Sequence, residues 1–406
     1  MDDILFLAHR IPYPPDRGDK IRSWHILKHL SGLACVHLAC FADGEADAAH
    51  LPALRQALGG NLGEARIEVR RTGRLKAGAT AMLSGKPVSL PMFDSGALRR
   101  FVTGLLESGR VGSIFAFSGQ MAQFVPEDAP QLFVMDFVDM DSAKFAAYAE
   151  KAGAPLSWAY RREAEALFAF ERASAARADV SLFVSEAEAA LFRGKARLDA
   201  DIRSVQNGVD LAFYDPSADF PKLDVGPAPL IAFTGQMDYP PNAEAVTAFA
   251  RDVFPLVRKT RPDARFAIVG RNPTEAVTRL GRGHGIVVTG AVEDIRSWLA
   301  AADVVVAPLR VARGVQNKVL EAMAMARPIV ASPAAFEGIE AEPGRDLLVA
   351  DGAAAQAEAV LRLLDPAVAE AMGKAARARM ERAYHWRTRL ASLTDILQAP
   401  RRKAAA

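Results

Sequence analysis

The chain has 406 residues, half of them apolar and about a quarter charged, with a formal net charge of +2 at pH 7. That length exceeds one ordinary core and predicts two domains or more, while the near-neutral balance gives no global argument for nucleic-acid binding. No stretch approaches a membrane span, and the apolar part of the opening "MDDILFLAHR" is too short for a secretory signal, so the expected location is the cytoplasm.

Taken in chain order, the first half offers strands at "ILFLA" (4–8), "CVHLACF" (35–41), "ARIEVR" (65–70), "SIFAFS" (113–118), "LFVMDF" (132–137) and "VSLFVS" (180–185). Amphipathic stretches such as "KIRSWHILKHL" lie between them. Continuous apolar strands alternating with helices predict parallel strands buried on both faces, a doubly wound α/β sheet. Cys35 and Cys40 are the two cysteines, both in an apolar run. Five residues apart in a strand, they point to opposite faces and read as reduced core residues. Neither Cys nor His shows metal-ligand spacing, and no metal is expected. His9 and His25 read as structural.

From Arg66 to Arg110 the sequence carries nine Lys or Arg against three acids. Such a patch suits an anionic membrane or an acidic substrate, but an ordinary solvated face is the commoner source of such a run.

After a stretch rich in Pro, Asp and Gly the pattern restarts, with strands at "LIAFTG" (230–235), "RFAIVG" (265–270), "GIVVTG" (285–290), "DVVVAP" (303–308) and "PIVAS" (328–332). Three of these runs end on glycine, which lets backbone turn sharply or a ligand approach at the carboxyl ends of the strands. The expected organisation is a first Rossmann-like domain at 1–210, a linker at 211–228, a second Rossmann-like domain at 229–384, and a terminal helix with a basic tail at 385–406.

Two loop-to-helix junctions carry the chemistry. Gly18, after the proline-rich "HRIPYPPDRGDK", opens a helix whose amides could face an anion, although no GxGxxG fingerprint is present. In "APLRVARGVQNKVLEAMAMA", Gly314 permits close backbone approach, and the amides of Gly314, Val315 and Gln316 lead into a helix whose dipole favours negative charge. Arg310 and Lys318 flank this turn, a pattern suited to a diphosphate. Glu321 lies three residues beyond Lys318 on the same face, placed to accept hydrogen bonds from a ribose diol or to pair with Lys318.

"SVQNGVDLAFYDP" and "VLEAMAMARPIVAS" resemble the interdomain link and donor-site helix of family 4 glycosyltransferases with the GT-B fold. "HRIPYPPDRGDKIRS", "DFVDMDSAKF" and "RGVQNKVLEAMA" resemble the subgroup associated with exosortase (PEP-CTERM) and exopolysaccharide systems. The resemblance implies two Rossmann-like domains facing a central cleft, the acceptor on the first and the nucleotide sugar on the second, with the C-terminal helix crossing back. It implies transfer of a sugar from a UDP- or GDP-linked donor to a glycan or lipid-linked acceptor, retaining, without metal or other cofactor. Residues carried over are Gly18, Gly235, Arg271, Arg310, Gly314, Val315, Gln316, Lys318 and Glu321, with backbone near Val292 reading the base. Lys318 serves the leaving diphosphate, and Asp136 or Asp139 is the group near the reaction centre. Two positions depart from the family: Arg313 stands where a first glutamate is usual, and Gln236 where an arginine is usual. Alternatives are an isomerase like the nucleotide-sugar 2-epimerases and a degenerate donor-binding scaffold.

Overall fold

A computed structural model describes residues 2–312 and 314–399, the side chains of 74–76 excepted. The chain divides into two compact units, one running to Gln206 and taking up the segment from Leu390, the other spanning Asn207–Arg389.

In the first unit, β1 (Asp3–Ala8), β2 (Val36–Ala42), β3 (Leu62–Val69), β4 (Val111–Phe117), β5 (Leu132–Val138), β6 (Val180–Phe183) and β7 (Ile202–Ser204) form a parallel sheet in the order β3-β2-β1-β4-β5-β6-β7. In the second, β8 (Leu230–Thr234), β9 (Arg265–Val269), β10 (Ile286–Gly290), β11 (Val304–Ala307), β12 (Ile329–Ala331) and β13 (Leu348–Val349) follow the order β10-β9-β8-β11-β12-β13. Every strand anticipated from the apolar runs is present. The central ones are buried along their length because helices cover both faces, so they show no alternation. Strands β7 and β13 were not anticipated. At three and two residues they are too short to leave a periodic trace.

Each sheet reverses its strand order once, between β1 and β4 and between β8 and β11. Crevices at the carboxyl ends of such strands are where open α/β sheets bind ligands. Each unit has its own apolar core, one around Phe133, Phe183 and Phe192, the other around Phe233, Phe249 and Phe266.

The segment between the sheets groups with the second unit from Asn207, because Val209 N–H donates to Tyr384 O at 2.7 Å and pairs with His385 as a bridge. His385 and Trp386 therefore stay with the second unit. The chain returns to the first unit only from Leu390. There helix Ala391–Gln398 buries Leu393, Ile396 and Leu397, and Thr394 hydrogen-bonds His29.

Candidate functional site

In the second unit the chain leaves β8 at Gly235 and β9 at Gly270, and the two turns nearly touch. A Cβ on Gly270 would lie 1.6 Å from Gly235 O, so this approach requires glycine. Asn242, on the first turn of helix Pro240–Ala248, is 5% exposed. Its Nδ2 donates to Gln236 O (2.9 Å), and its Oδ1 accepts from Lys318 Nζ at 2.7 Å. Lys318 also lies over the Phe233 ring, 5.0 Å from its centroid. Burial pulls its pKa down to about 8, with Glu321 opposing that shift. Lys318 is thus a poised cation on the far side of the switch from Gly235.

Gly314 has φ +65°, a left-handed conformation that suits glycine. Helix Asn317–Ala324 begins after Gln316, whose side chain turns back to Gly314 O (3.0 Å) and does not cap the helix. Its inner face buries Val319, Leu320, Ala322, Met323 and Ala324, so the small residues serve packing against the sheet. Val315 is partly buried against the core. Arg313 lies outside the described residues.

Glu321 accepts a hydrogen bond from the Tyr214 hydroxyl, and burial raises its pKa against the pull of Tyr214 and Lys318. Tyr214 was not anticipated, nor was Asn242. The first sits in the stretch "SVQNGVDLAFYDP", read only as an interdomain link, and the second is a polar residue in "YPPNAE" with no periodic or motif signal of its own.

Other expected residues fall elsewhere. Arg310 does not share a partner with Lys318: it is exposed and stands 3.9 Å from Glu244 and from Asp252. It lines a cavity of about 460 Å³ with Ser332 and Asp351. Arg310 and Lys318 thus have different protein partners, Lys318 being tied to Asn242. Arg271 is exposed just beyond Gly270, its carbonyl accepting from Met237 N–H (2.9 Å). Val292 packs beside Trp298 over Leu230 and Val269.

In the first unit a cavity of about 840 Å³ opens at the carboxyl ends of β1, β4 and β5. Gly18 starts helix Gly18–Ser31 beside it, and the charged groups at this helix start are Arg17 and Asp19. Asp19 Oδ2 meets Arg10 Nη1 (2.6 Å) and His9 Nε2 (3.2 Å). Burial alone would raise the Asp19 pKa, but the His9 hydrogen bond and the charges of Arg10 and Arg17 hold it well below the usual carboxylate range. His9 stacks on Phe117 (5.8 Å between centroids) and is 8% exposed, with a buried Nδ1 that has no partner in the structure. Burial lowers its pKa despite Asp19, so it is neutral at pH 7. His9, read from sequence as structural, stands in the cavity wall. Its signal was its position directly after β1, where the sheet reverses.

Asp136 and Asp139 separate clearly. Asp136 is fully buried, held by Arg22 Nε (3.1 Å) and Nη2 (2.9 Å), and its Oδ1 accepts from Val138 N–H (3.0 Å). Arg22 in turn donates to Val205 O (2.7 Å), tying the end of β5 to the chain just after β7. Both Asp136 oxygens are engaged inside the fold. Asp139 opens onto the cavity, where the concave wall and then Glu188 and Asp141 push its pKa up to about 6.

Among the described residues, Asp3, Cys35 and His37 form a cluster with metal-ligand atom types. It lies at the amino-terminal edge of the first sheet, and its histidine is already engaged. His37 Nε2 meets Asp3 Oδ2 (3.0 Å), and its Nδ1 accepts from Glu64 N–H (3.0 Å). Both cysteines are free.

Two reversing parallel sheets, with the terminal helix returned to the first unit, define the GT-B fold of glycosyltransferases. Over 98% of both chains the structure is similar to sucrose-phosphate synthase from Thermosynechococcus elongatus, with a TM-score of 0.68 at 18% identity. It is also similar to HepE from Anabaena, solved in complex with UDP and glucose (TM-score 0.62, 16% identity, 98% of this chain and 100% of that one). Within the second unit, residues 228–366 match the family described as Glycosyl transferases group 1. A phosphatidyl-myo-inositol mannosyltransferase of Propionibacterium freudenreichii is 31% identical over 131 residues, a match spanning 32% of this chain and 32% of that relative.

Proposed function

We propose that the protein transfers a sugar from a nucleotide-diphosphate donor to a hydroxyl of a glycan or lipid-linked acceptor, as in exopolysaccharide assembly. The observation that carries this reading is Lys318, buried against Phe233 and held by Asn242 at the β8/β11 reversal, behind an uncapped helix start approached through Gly314. A cation and helix amides together stabilise the charge that develops on a departing diphosphate. Glu321, held by the Tyr214 hydroxyl, supplies the carboxylate that accepts from the ribose diol, and Val292 lies on the segment that takes the base. The acceptor belongs to the first unit's cavity, where Asp139 and His9 face the incoming hydroxyl. The transfer is retaining and needs no metal, the donor phosphate oxygen assisting the hydroxyl. The match to Glycosyl transferases group 1 over the second unit supports the donor half. The motifs "HRIPYPPDRGDKIRS" and "DFVDMDSAKF" support placement among the exosortase-associated transferases. Two free cysteines suit a reducing cytoplasm.

The test is to incubate the protein with labelled UDP- and GDP-sugars and a membrane extract, following free nucleotide and labelled glycolipid. Release of nucleotide with label in product is expected. Tight nucleotide-sugar binding without transfer to any acceptor overturns the reading, and epimerised donor without acceptor replaces it with an isomerase.

A further inference from the structure

Among the described residues, exposed large apolar side chains are mostly scattered singly, with one concentration. Met82 (55% exposed), Leu83 (92%), Tyr148 (45%), Leu156 (57%) and Trp158 (58%) all belong to three neighbouring helices of the first unit, Arg74–Ser84, Asp141–Lys151 and Leu156–Arg177. The helices are fastened together. Arg162 Nη2 donates to Ala81 O (2.5 Å) and Lys86 O (3.0 Å), and Val88 N–H donates to Glu163 Oε1 (2.8 Å). Trp158 lies one turn before Arg162 on the same helix face, and Met82 follows Ala81 directly. Phe145, Tyr148 and Tyr160 pack ring against ring with centroids 5.8 to 6.0 Å apart, joining the other two helices.

Basic residues outnumber acids in the sequence that forms this surface. Between Arg70 and Phe93 the sequence has five basic residues and no acid, and between Ser142 and Arg162 it has four basic residues and one acid. Lys86, Lys151 and Arg161 are exposed. An indole and aliphatic tips among lysines and arginines fit the interface of an anionic bilayer, where aromatic rings sit at headgroup level and basic groups meet anionic lipid. The surface also borders the 840 Å³ cavity: Arg71, Thr72 and Gly73 line the cavity and run straight into helix Arg74–Ser84, while Lys144 and Phe145 line it one turn before Tyr148.

We infer that this face docks on an anionic membrane surface and sets the first unit's cavity against lipid headgroups. Its part in presenting a lipid-linked acceptor rests on the transferase reading; the docking itself does not. The experiment is co-sedimentation of the full chain with vesicles of phosphatidylcholine alone and with about a third phosphatidylglycerol, UDP affinity being measured on the same protein. Binding to the anionic vesicles only is expected, weakening as salt rises to about 1 M. The double variant Leu83→Asp with Trp158→Asp is expected to lose at least about tenfold in vesicle affinity while keeping UDP affinity and melting temperature, since both side chains are exposed. Absence of binding to anionic vesicles, or equal binding by the variant, overturns the inference. So does a dimer of the wild type that the variant dissolves without any vesicle binding, which makes the face a contact between copies. Vesicle binding without nucleotide affinity leaves the docking face standing and removes the transferase reading; the reverse removes the docking face alone.

Discussion

Lys318 Nζ donates to Asn242 Oδ1 across 2.7 Å, joining positions 76 residues apart where the second sheet reverses. The contact keeps the ammonium near the carboxyl ends of β8 and β11 without neutralising it, because an amide oxygen carries no charge. Removing the lysine as Lys318→Ala should weaken UDP or GDP binding by roughly 1.5–3 kcal/mol, about 10- to 150-fold, the worth of a charge-assisted contact. Asn242→Ala should cost less, about 1 kcal/mol, since it loosens the ammonium and leaves it in place. Isothermal titration checks both. Unchanged nucleotide affinity in Lys318→Ala means the diphosphate lies elsewhere.

The same lysine gives a pH dependence. Its pKa is lowered to about 8 by burial, so in the free protein the ammonium is present below that pH and lost above it. A diphosphate needs the charged form, so affinity should be level through pH 7 and fall as pH rises past about 8. The Lys318→Arg variant should stay level across that range, because a guanidinium keeps its proton. Identical profiles for the two proteins would remove Lys318 from the binding equilibrium.

Glu321 offers a third check. Its carboxylate already accepts from Tyr214, and a carboxylate has further lone pairs for a diol. Glu321→Gln should lower UDP affinity by about 1–2 kcal/mol and abolish the preference for UDP over its 2′,3′-dideoxy analogue. A variant that still discriminates between the two assigns the ribose to another group. Tyr214→Phe, which frees the carboxylate, should leave the discrimination intact.

What the sequence discloses follows from which interactions are local. The parallel strands are legible because burial on both faces leaves apolar runs such as "DVVVAP", and the packed face of helix Asn317–Ala324 is legible from its Ala and Met content. Asn242 is not legible as the partner of Lys318, because nothing near "YPPNAE" shows that a lysine 76 positions on will reach it. Asp136 has the same difficulty with Arg22, 114 residues earlier. An aspartate closing a strand reads equally as an exposed catalytic group or a buried anchor, and only the fold decides. Arg310 shows the limit of proximity along the chain: close to Lys318 in sequence, it stands near Glu244 and Asp252 in the fold.

Backbone approach at the end of β9 predicts a contrast between two glycines. A Cβ at Gly270 would meet Gly235 O at 1.6 Å, and backbone on both sides has no side chain to swing away. Gly270→Ala should therefore cost more than about 3 kcal/mol, at the severe end for a single substitution. Gly314 has open space around its Cβ position and only the positive φ of +65° to resist a side chain. Gly314→Ala should cost about 1–2 kcal/mol and act mainly on nucleotide affinity. Urea denaturation orders them, and equal losses would contradict the geometry.

Asp136 and Asp139, three positions apart, should fail in opposite ways. Arg22→Met strands the Asp136 carboxylate in a site with no exposure and should destabilise the fold by about 3–5 kcal/mol. Burial raises the Asp136 pKa above its unfolded value, so the folded variant holds a proton that the unfolded chain has already released. Stability then falls as pH rises through that interval, and the variant's deficit should shrink on acidification toward about pH 4. Asp139→Asn, on the cavity wall, should not destabilise the fold, because the raised pKa means the charged form is the disfavoured one there. Its effect belongs to turnover. With a pKa of about 6, Asp139 becomes ionised as pH rises through that value, so sugar transfer by the wild type should climb there and the variant should be slow and flat. A variant with the wild-type rate and the same acid limb would place Asp139 outside the chemistry and leave the buried nitrogen of His9 as the group to test next.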